Sequence, residues 1–397
     1  MMCEPDFVDE CYAGKDLSLL KKLTLVIPTY NRNYYLSRCL WYHAHFPFGE
    51  IIVADSSPEE KKVVNRETVQ KVREMFGANV RYLGYEPETE KYGGDIYRKW
   101  GDAVQHVKTE YSQICTDKEF LIPTTLNKCL LFLEENKEYS IAKGINYNIS
   151  KEMNKIRIHP WQISLKIQID DSFSRLLSYA LFAGSGTMFG IQRSNLQKTV
   201  YSNLSRYNLS DIRFGETLLE LQPIIMGKLM CFTDMAFNCR DIINFERGSY
   251  ESKKSESSFL RYPLFINYPE NILNDGYAHM KQCLLDQLII SSKEGRGNMK
   301  ETLDYILPKL MEMRYGASKT FVKSTKILDE HKLIRKIWGI IPERCKYLVR
   351  ECAAGKTSKK ENIMSLSNEI EIISTILMMS DKTSHHINDS IFIMSGQ

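Results

Sequence analysis

The chain has 397 residues, 43% of them apolar and 26% charged, with a formal net charge of +4. That length exceeds what one small core needs, the composition is ordinary for a globular protein, and so mild a charge does not argue for nucleic acid as a partner. Ten cysteines are scattered with no C-x-x-C pair and no Cys/His cluster at zinc spacing, which points to a reducing compartment.

The opening "MMCEPDFVDECYAG" is acidic and lacks a signal-peptide apolar segment. No window reaches about 18 uninterrupted apolar residues, so a cytoplasmic protein is expected, in solution or peripheral to the inner face of a membrane. "LTLVIPTY" from Leu23 is a short apolar run that suits a strand buried on both faces. "NRNYYLSRCLWYHAHF" follows with helical spacing and Asn31 as a candidate N-cap. "GEIIVADSS" reads as a second buried strand, and "RETVQKVREMFG" as a helix closed by Gly77. "NVRYLGY" and "YSQIC" are strands three and four, with a helix between them. A helix over "TTLNKCLLFLEENKEY" and a strand over "SIAKGINYNIS" complete the alternation. Strands alternating with helices imply right-handed βαβ units and a mostly parallel sheet. Ligands of such sheets bind beyond the carboxyl ends of the strands.

Past about residue 150 the pattern changes. "IRIHPWQISLKIQIDD" alternates like one or two exposed strands. A helix, a Gly-rich turn ("AGSGTMFGIQ"), a short strand and another helix are expected up to Val200. "DIRFGETLLELQPIIMGKLMCF" reads as a helix from near Asp211 with a kink or break at Pro223, and "TDMAFNCRDI" as a further strand. Phe245 to Pro263 is polar and rich in Ser, Lys and Glu, as a loop at a domain boundary would be. The remainder is helical in pattern. From Lys319 to Lys360, Lys and Arg outnumber Asp and Glu around Trp338, Ile340 and Ile341. Such a segment is either a solvated surface or a membrane-surface contact.

Four of these segments, "LTLVIPTYNRNYYLSRCL", "EIIVADSSPEE", "YRKWGDAVQHVKTEYSQICTDKEFLIPTTL" and "DIRFGETLLELQPIIMGKLMCF…CRD", stand in the order and spacing of a known family. Together they resemble family-2-like glycosyltransferases of the GT-A fold, with a divergent acidic motif, over roughly residues 23 to 243. The resemblance implies an α/β fold. Its mostly parallel central sheet is flanked by helices and combines a Rossmann-like nucleotide-binding half with an acceptor half. The expected organisation is an N-terminal extension (1–22), a GT-A domain (23–260) and a mainly helical, basic C-terminal region (261–397). The implied activity is inverting transfer of a sugar from a nucleotide-sugar donor to a glycan or lipid-linked acceptor, as in surface polysaccharide or glycoconjugate synthesis. A transferase using a CMP-activated acidic sugar, and a catalytically degenerate scaffold, are the alternatives.

For the nucleotide, the strand ends offer Thr29, Tyr30, Arg32 and Asp55, with Lys99 on the helix before the acidic motif and Asp117 and Lys118 within it. Each has a plainer reading, as rim packing for Tyr30, a turn cap for Asp55 or a solvated helix lysine for Lys99. In relatives the acidic motif holds a divalent cation, and the matching ligands here are Asp117 and Glu119, for Mg²⁺ or Mn²⁺. Lys118 stands where relatives carry another acid and opens the alternative of a metal-independent site. Glu216, in "RFGETLLEL", is the first candidate for the catalytic base that takes the acceptor proton, and Asp211 is the second. His43 and His45 read as surface or packing residues.

Overall fold

The computed structural model describes residues 5–87, 94–152, 155–162, 166–182, 186–207, 209, 212–242, 270–291 and 296–315. Its first half is the expected alternation: β1 (Leu23–Thr29), α2 (Asn33–His43), β2 (Glu50–Asp55), α3 (Glu59–Phe76), β3 (Val80–Gly84), α4 (Gly94–Gln105) and β4 (Tyr111–Ile114). A short helix, α1 (Pro5–Tyr12), precedes them. β1, β2, β3 and β4 are all parallel, in the spatial order 3-2-1-4. The chain therefore leaves β1 toward β2 and later returns to its other side at β4. That reversal opens a crevice at the carboxyl ends of β1 and β4.

Both faces of β1 and β2 are covered, which is why these two read as apolar runs, while β3 at the sheet edge is only half-buried. Leu25, Ile27, Ile51 and Val53 point into a core shared with α1, α2, α3 and α5 (Pro123–Glu135). Val26, Ile52, Ala54 and Ile114 point the opposite way, into a core under α4. Each such side chain, fully removed from water, contributes roughly 1.5–3 kcal/mol. α3 ends at Gly77 with φ 63, the left-handed value that glycine adopts freely. Pro123 opens α5 from its first turn, where its missing N–H costs nothing.

The other half of the sheet is mixed. β6 (Tyr139–Glu152) pairs parallel with β9 (Lys228–Asp241) and antiparallel with both β7 (Lys155–Gln162) and β8 (Ile191–Arg193), and β8 joins this half to β4. The far edge is β5 (Glu119–Leu121), three residues that pair antiparallel with β9. The segment after β4 therefore leads to a strand that pairs on the far side of the sheet, which the sequence pattern did not indicate. α8 (Ile212–Met226) runs through Pro223 without breaking, and β9 starts directly after Gly227, so "KLMCF" is strand and not helix.

α6 (Ser172–Phe182), α7 (Ser194–Arg206) and α8 cover the sheet beside α4. The helices α9 (Glu270–Ser291) and α10 (Arg296–Tyr315) close that same core, with Met280, Leu284, Leu288, Leu303 and Leu307 buried in it. The N-terminal residues are likewise integral: Val8 and Leu20 are fully buried, and the Tyr12 ring packs edge-on to Phe46 at 5.0 Å. Among the described residues, no helix is long and apolar enough to cross a membrane. The basic segment Lys319–Lys360 and the loop Phe245–Pro263 lie outside the described residues.

Candidate active site

The crevice at the ends of β1 and β4 is built by side chains that tie the strand ends together. Thr29, the last residue of β1, donates its hydroxyl to Asp117 Oδ2 at 2.8 Å. Arg32 Nη1 reaches Asp117 Oδ1 at 3.3 Å. Asp117 is 1% exposed, so its charge is held between a hydroxyl and a guanidinium and not in water. Asn31, between Thr29 and Arg32, is the one described non-glycine residue with positive φ, at 55°. Asparagine tolerates this conformation better than most side chains. The turn frees the Asn31 N–H to donate to Ser57 Oγ at 2.8 Å, joining the loop after β1 to the loop after β2. Arg32, and not Asn31, flanks the start of α2.

Lys99 is buried on α4 and donates to Ser56 Oγ at 2.7 Å and to the Thr29 carbonyl at 3.2 Å. It therefore pins α4 to the ends of β1 and β2 from below the crevice. Asp55 sits one strand over and is fully buried. Its Oδ1 accepts the Ser57 N–H at 2.8 Å, and its Oδ2 accepts from Asn65 Nδ2 and Tyr82 OH, both at 2.7 Å. Burial and the Asp55 contact push the Tyr82 hydroxyl well above its usual pKa. Asp55 thus organises the end of β2 with both of its oxygens. Tyr30 lies half-buried directly after β1, at the rim.

The segment 115–119 carries the acidic motif. Glu119 is fully buried: Oε1 accepts from Arg240 Nη2 at 2.6 Å and Nε at 3.1 Å, and Oε2 accepts the Thr116 N–H at 3.0 Å. Arg240 comes from β9, opposite Glu119 in the strand register, and its guanidinium lies 5.7 Å from the Phe189 ring centre. Between these pairs sits Lys118. Burial first, then Arg240 and Arg32, bring its ammonium down to a pKa of about 8, against the pull of Asp117 and Glu119.

This donor set does not fit Mg²⁺ or Mn²⁺. A hard divalent ion needs carboxylate oxygens turned toward it. Here both oxygens of Asp117 and both of Glu119 already accept hydrogen bonds, and three cations stand around them. Glu119, expected as a metal ligand, instead anchors the far strand of the sheet.

Beneath the same turn, Cys39, His43 and Cys115 converge, with their ligand atoms within 4.8 Å of one another. Sequence spacing did not indicate this cluster, because Cys115 is brought in by the sheet. His43 is packed rather than exposed: Nδ1 lies 2.8 Å from the Cys39 carbonyl and Nε2 accepts the Leu121 N–H at 3.3 Å. The thiols face the Thr116 and Glu119 carbonyls at 3.6–3.9 Å. The cluster thus supports the backbone of the acidic turn from below.

Glu216 is half-buried in the first turns of α8, which packs against α4. Gly215 makes that packing close, since a Cβ there would meet the Tyr97 ring at 2.7 Å. One turn further, Glu220 accepts the Gly186 N–H at 2.7 Å, so this face of α8 looks toward the Gly-rich turn. Asp211 and residues 183–185 of that turn lie outside the described residues. Of the expected residues, Thr29, Arg32, Lys99, Asp117, Lys118 and Glu119 come together at the switch point. Asp55 lies beside them with its carboxylate occupied. Arg240 and Phe189 were missed: strand register delivers Arg240 to Glu119, and Phe189 reaches it from the short turn before β8.

No family model matches the chain, and no curated protein matches it. Solved structures that resemble it include Staphylococcus aureus TarS 1-349 in complex with UDP-GlcNAc, at 15% identity over 82% of this chain and 83% of that one, with a TM-score of 0.45. The same TarS fragment in complex with UDP aligns at 13% identity over 91% of each chain, with a TM-score of 0.44. Against a longer TarS structure, at 14% identity and a TM-score of 0.42, the chain spans 54% of the matched protein. Scores of this size fix neither a shared family nor a shared reaction.

Proposed function

We propose that the chain is a glycosyltransferase that moves a sugar from a nucleotide-activated donor to a glycan or lipid-linked acceptor with inversion. The observation that carries this reading is the constellation at the β1/β4 switch point. Thr29, Arg32 and Asp117 lock the two strand ends into one crevice edge, with Lys118 beside them. A crevice of this kind is where open α/β sheets bind nucleotides, and its cationic lining suits phosphate.

In this reading Glu216 takes the proton of the acceptor hydroxyl as that oxygen attacks the anomeric carbon. The carbon–oxygen bond to the phosphate breaks, and its electron pair passes to the phosphate oxygen. Charge growing on that oxygen is met by cationic side chains already in position, so no reorganisation is needed as it develops. Glu216 is half-buried in the first turns of α8. Thr29 and Lys99 fix the strand ends and the helix against which the donor packs.

A second reading within the same class is favoured by the excess of cations at residues 32, 118 and 240: a CMP-activated acidic sugar, whose single phosphate needs no bridging metal. The acceptor and any contact of residues 319–360 with an anionic membrane surface belong to the same proposal. The test is nucleotide release from a panel of sugar nucleotides by wild type and Glu216→Gln. Wild type should turn over one donor, and the variant should lose at least about 100-fold in turnover with donor affinity within a few-fold. Wild-type turnover by the variant removes Glu216 from the base role. No turnover of any donor by wild type, with nucleotide binding retained, would favour the scaffold alternative.

A further inference from the structure

We propose that Arg32, Lys118 and Arg240 together form a phosphate-binding cluster that takes the place of a divalent cation at the donor's leaving group. This rests on the nucleotide-sugar reading for the identity of the ligand, but not for the site itself. Three observations carry it.

The first is charge. Three cations are gathered around two carboxylates, and each carboxylate is already paired with one of the arginines. The local balance is positive with no metal counted. The second is placement. The three cations come from three separate places in the chain: the loop after β1, the segment after β4 and the end of β9. Sheet topology sets Arg32 on Asp117 and Arg240 on Glu119, the two residues that flank Lys118 in the chain. The third is stiffness. Arg240 is held by two hydrogen bonds to Glu119 and by the Phe189 ring, and Arg32 by Asp117. A cation held as Arg240 is gains from a bound anion at little further ordering cost.

Packing like charges at a half-buried site is unfavourable for the empty protein. An anion reverses the sign of that contribution. A phosphate oxygen near Lys118 would have cations on both flanks, and the paired carboxylates would remain turned into the protein. A divalent ion there would face Lys118 and both guanidiniums directly.

The experiment uses the full chain and inorganic pyrophosphate as the probe, followed by calorimetry in EDTA and in Mn²⁺. Wild type should bind equally well, within about 2-fold, in both, and affinity should fall with added salt. Arg32→Gln and Lys118→Gln should each weaken binding by about 10-fold or more, as loss of a charge-assisted contact predicts. Arg32 is 38% exposed but pairs with the buried Asp117, so urea denaturation of its variant is run alongside, and Lys118→Gln keeps the test independent of that pair. Binding that requires Mn²⁺, or variants that bind as wild type, overturns the proposal. Metal-free, variant-sensitive pyrophosphate binding without turnover of any sugar nucleotide would uphold the cluster and defeat the transferase reading. Mn²⁺-dependent turnover would do the reverse.

Discussion

Lys118→Met is expected to make the protein more stable at neutral pH. Lys118 is charged in the unfolded chain up to its ordinary pKa of 10.5 and in the folded chain only up to about 8. At about 1.4 kcal/mol per pH unit, that gap corresponds to roughly 3 kcal/mol of unfavourable free energy in the fold. Residual solvent contact and replacement of the stem reduce the expected gain to about 1–2 kcal/mol. The sign follows from proton counts. Between pH 8 and 10.5 the unfolded state binds more protons, so wild-type stability rises with pH through that window. The cost is fully present below pH 8, shrinks above it and is gone past 10.5. Urea denaturation of wild type and Lys118→Met at pH 7 and at pH 9.5 measures it. Methionine should win clearly at pH 7 and by a smaller margin at pH 9.5. A variant less stable than wild type at pH 7, or a gain that ignores pH, refutes the reasoning that Arg240, Arg32 and burial together disfavour this charge.

Gly215→Ala places a methyl group where the Tyr97 ring stands at 2.7 Å, so the ring or the start of α8 must shift; a stability loss of about 1–3 kcal/mol is expected, with turnover falling more than donor affinity where the helix carrying Glu216 moves. Asp241→Ala removes the partner of Arg38, a 2.6 Å ion pair in which the two side chains are 10% and 0% exposed. Denaturation should show a loss of about 3–5 kcal/mol, since a buried guanidinium is left without its counter-charge.

The parallel half of the sheet was legible because its central strands β1 and β2 are buried on both faces and are apolar almost throughout. Its punctuation was legible too, in Gly77 at a left-handed helix end and Pro123 in a first turn. What could not be read depends on residues distant in sequence. Three residues, Glu119 to Leu121, carry no periodicity, and only their pairing with β9 makes them a strand. The same register delivers Arg240 to Glu119 and changes a metal-ligand candidate into a structural anchor. Pro223 suggested a break, but tertiary packing of α8 against α6, α7 and the sheet keeps the helix intact past it. Asp55 ended a strand as expected, yet its carboxylate serves Ser57, Asn65 and Tyr82, two of which lie ten or more residues away. The helices from 270 to 315 looked separable in sequence because a polar loop precedes them, while their apolar faces complete the core beneath α8.

The central claim is that the β1/β4 crevice binds a nucleotide through cationic side chains. Thermal denaturation of the full chain against UDP, GDP, CMP and dTDP, in EDTA and in Mn²⁺, tests it most directly. The account predicts that one nucleotide raises the midpoint in EDTA, that Mn²⁺ adds little, and that Arg32→Gln abolishes the rise. No stabilisation by any of the four, with or without Mn²⁺, would contradict it.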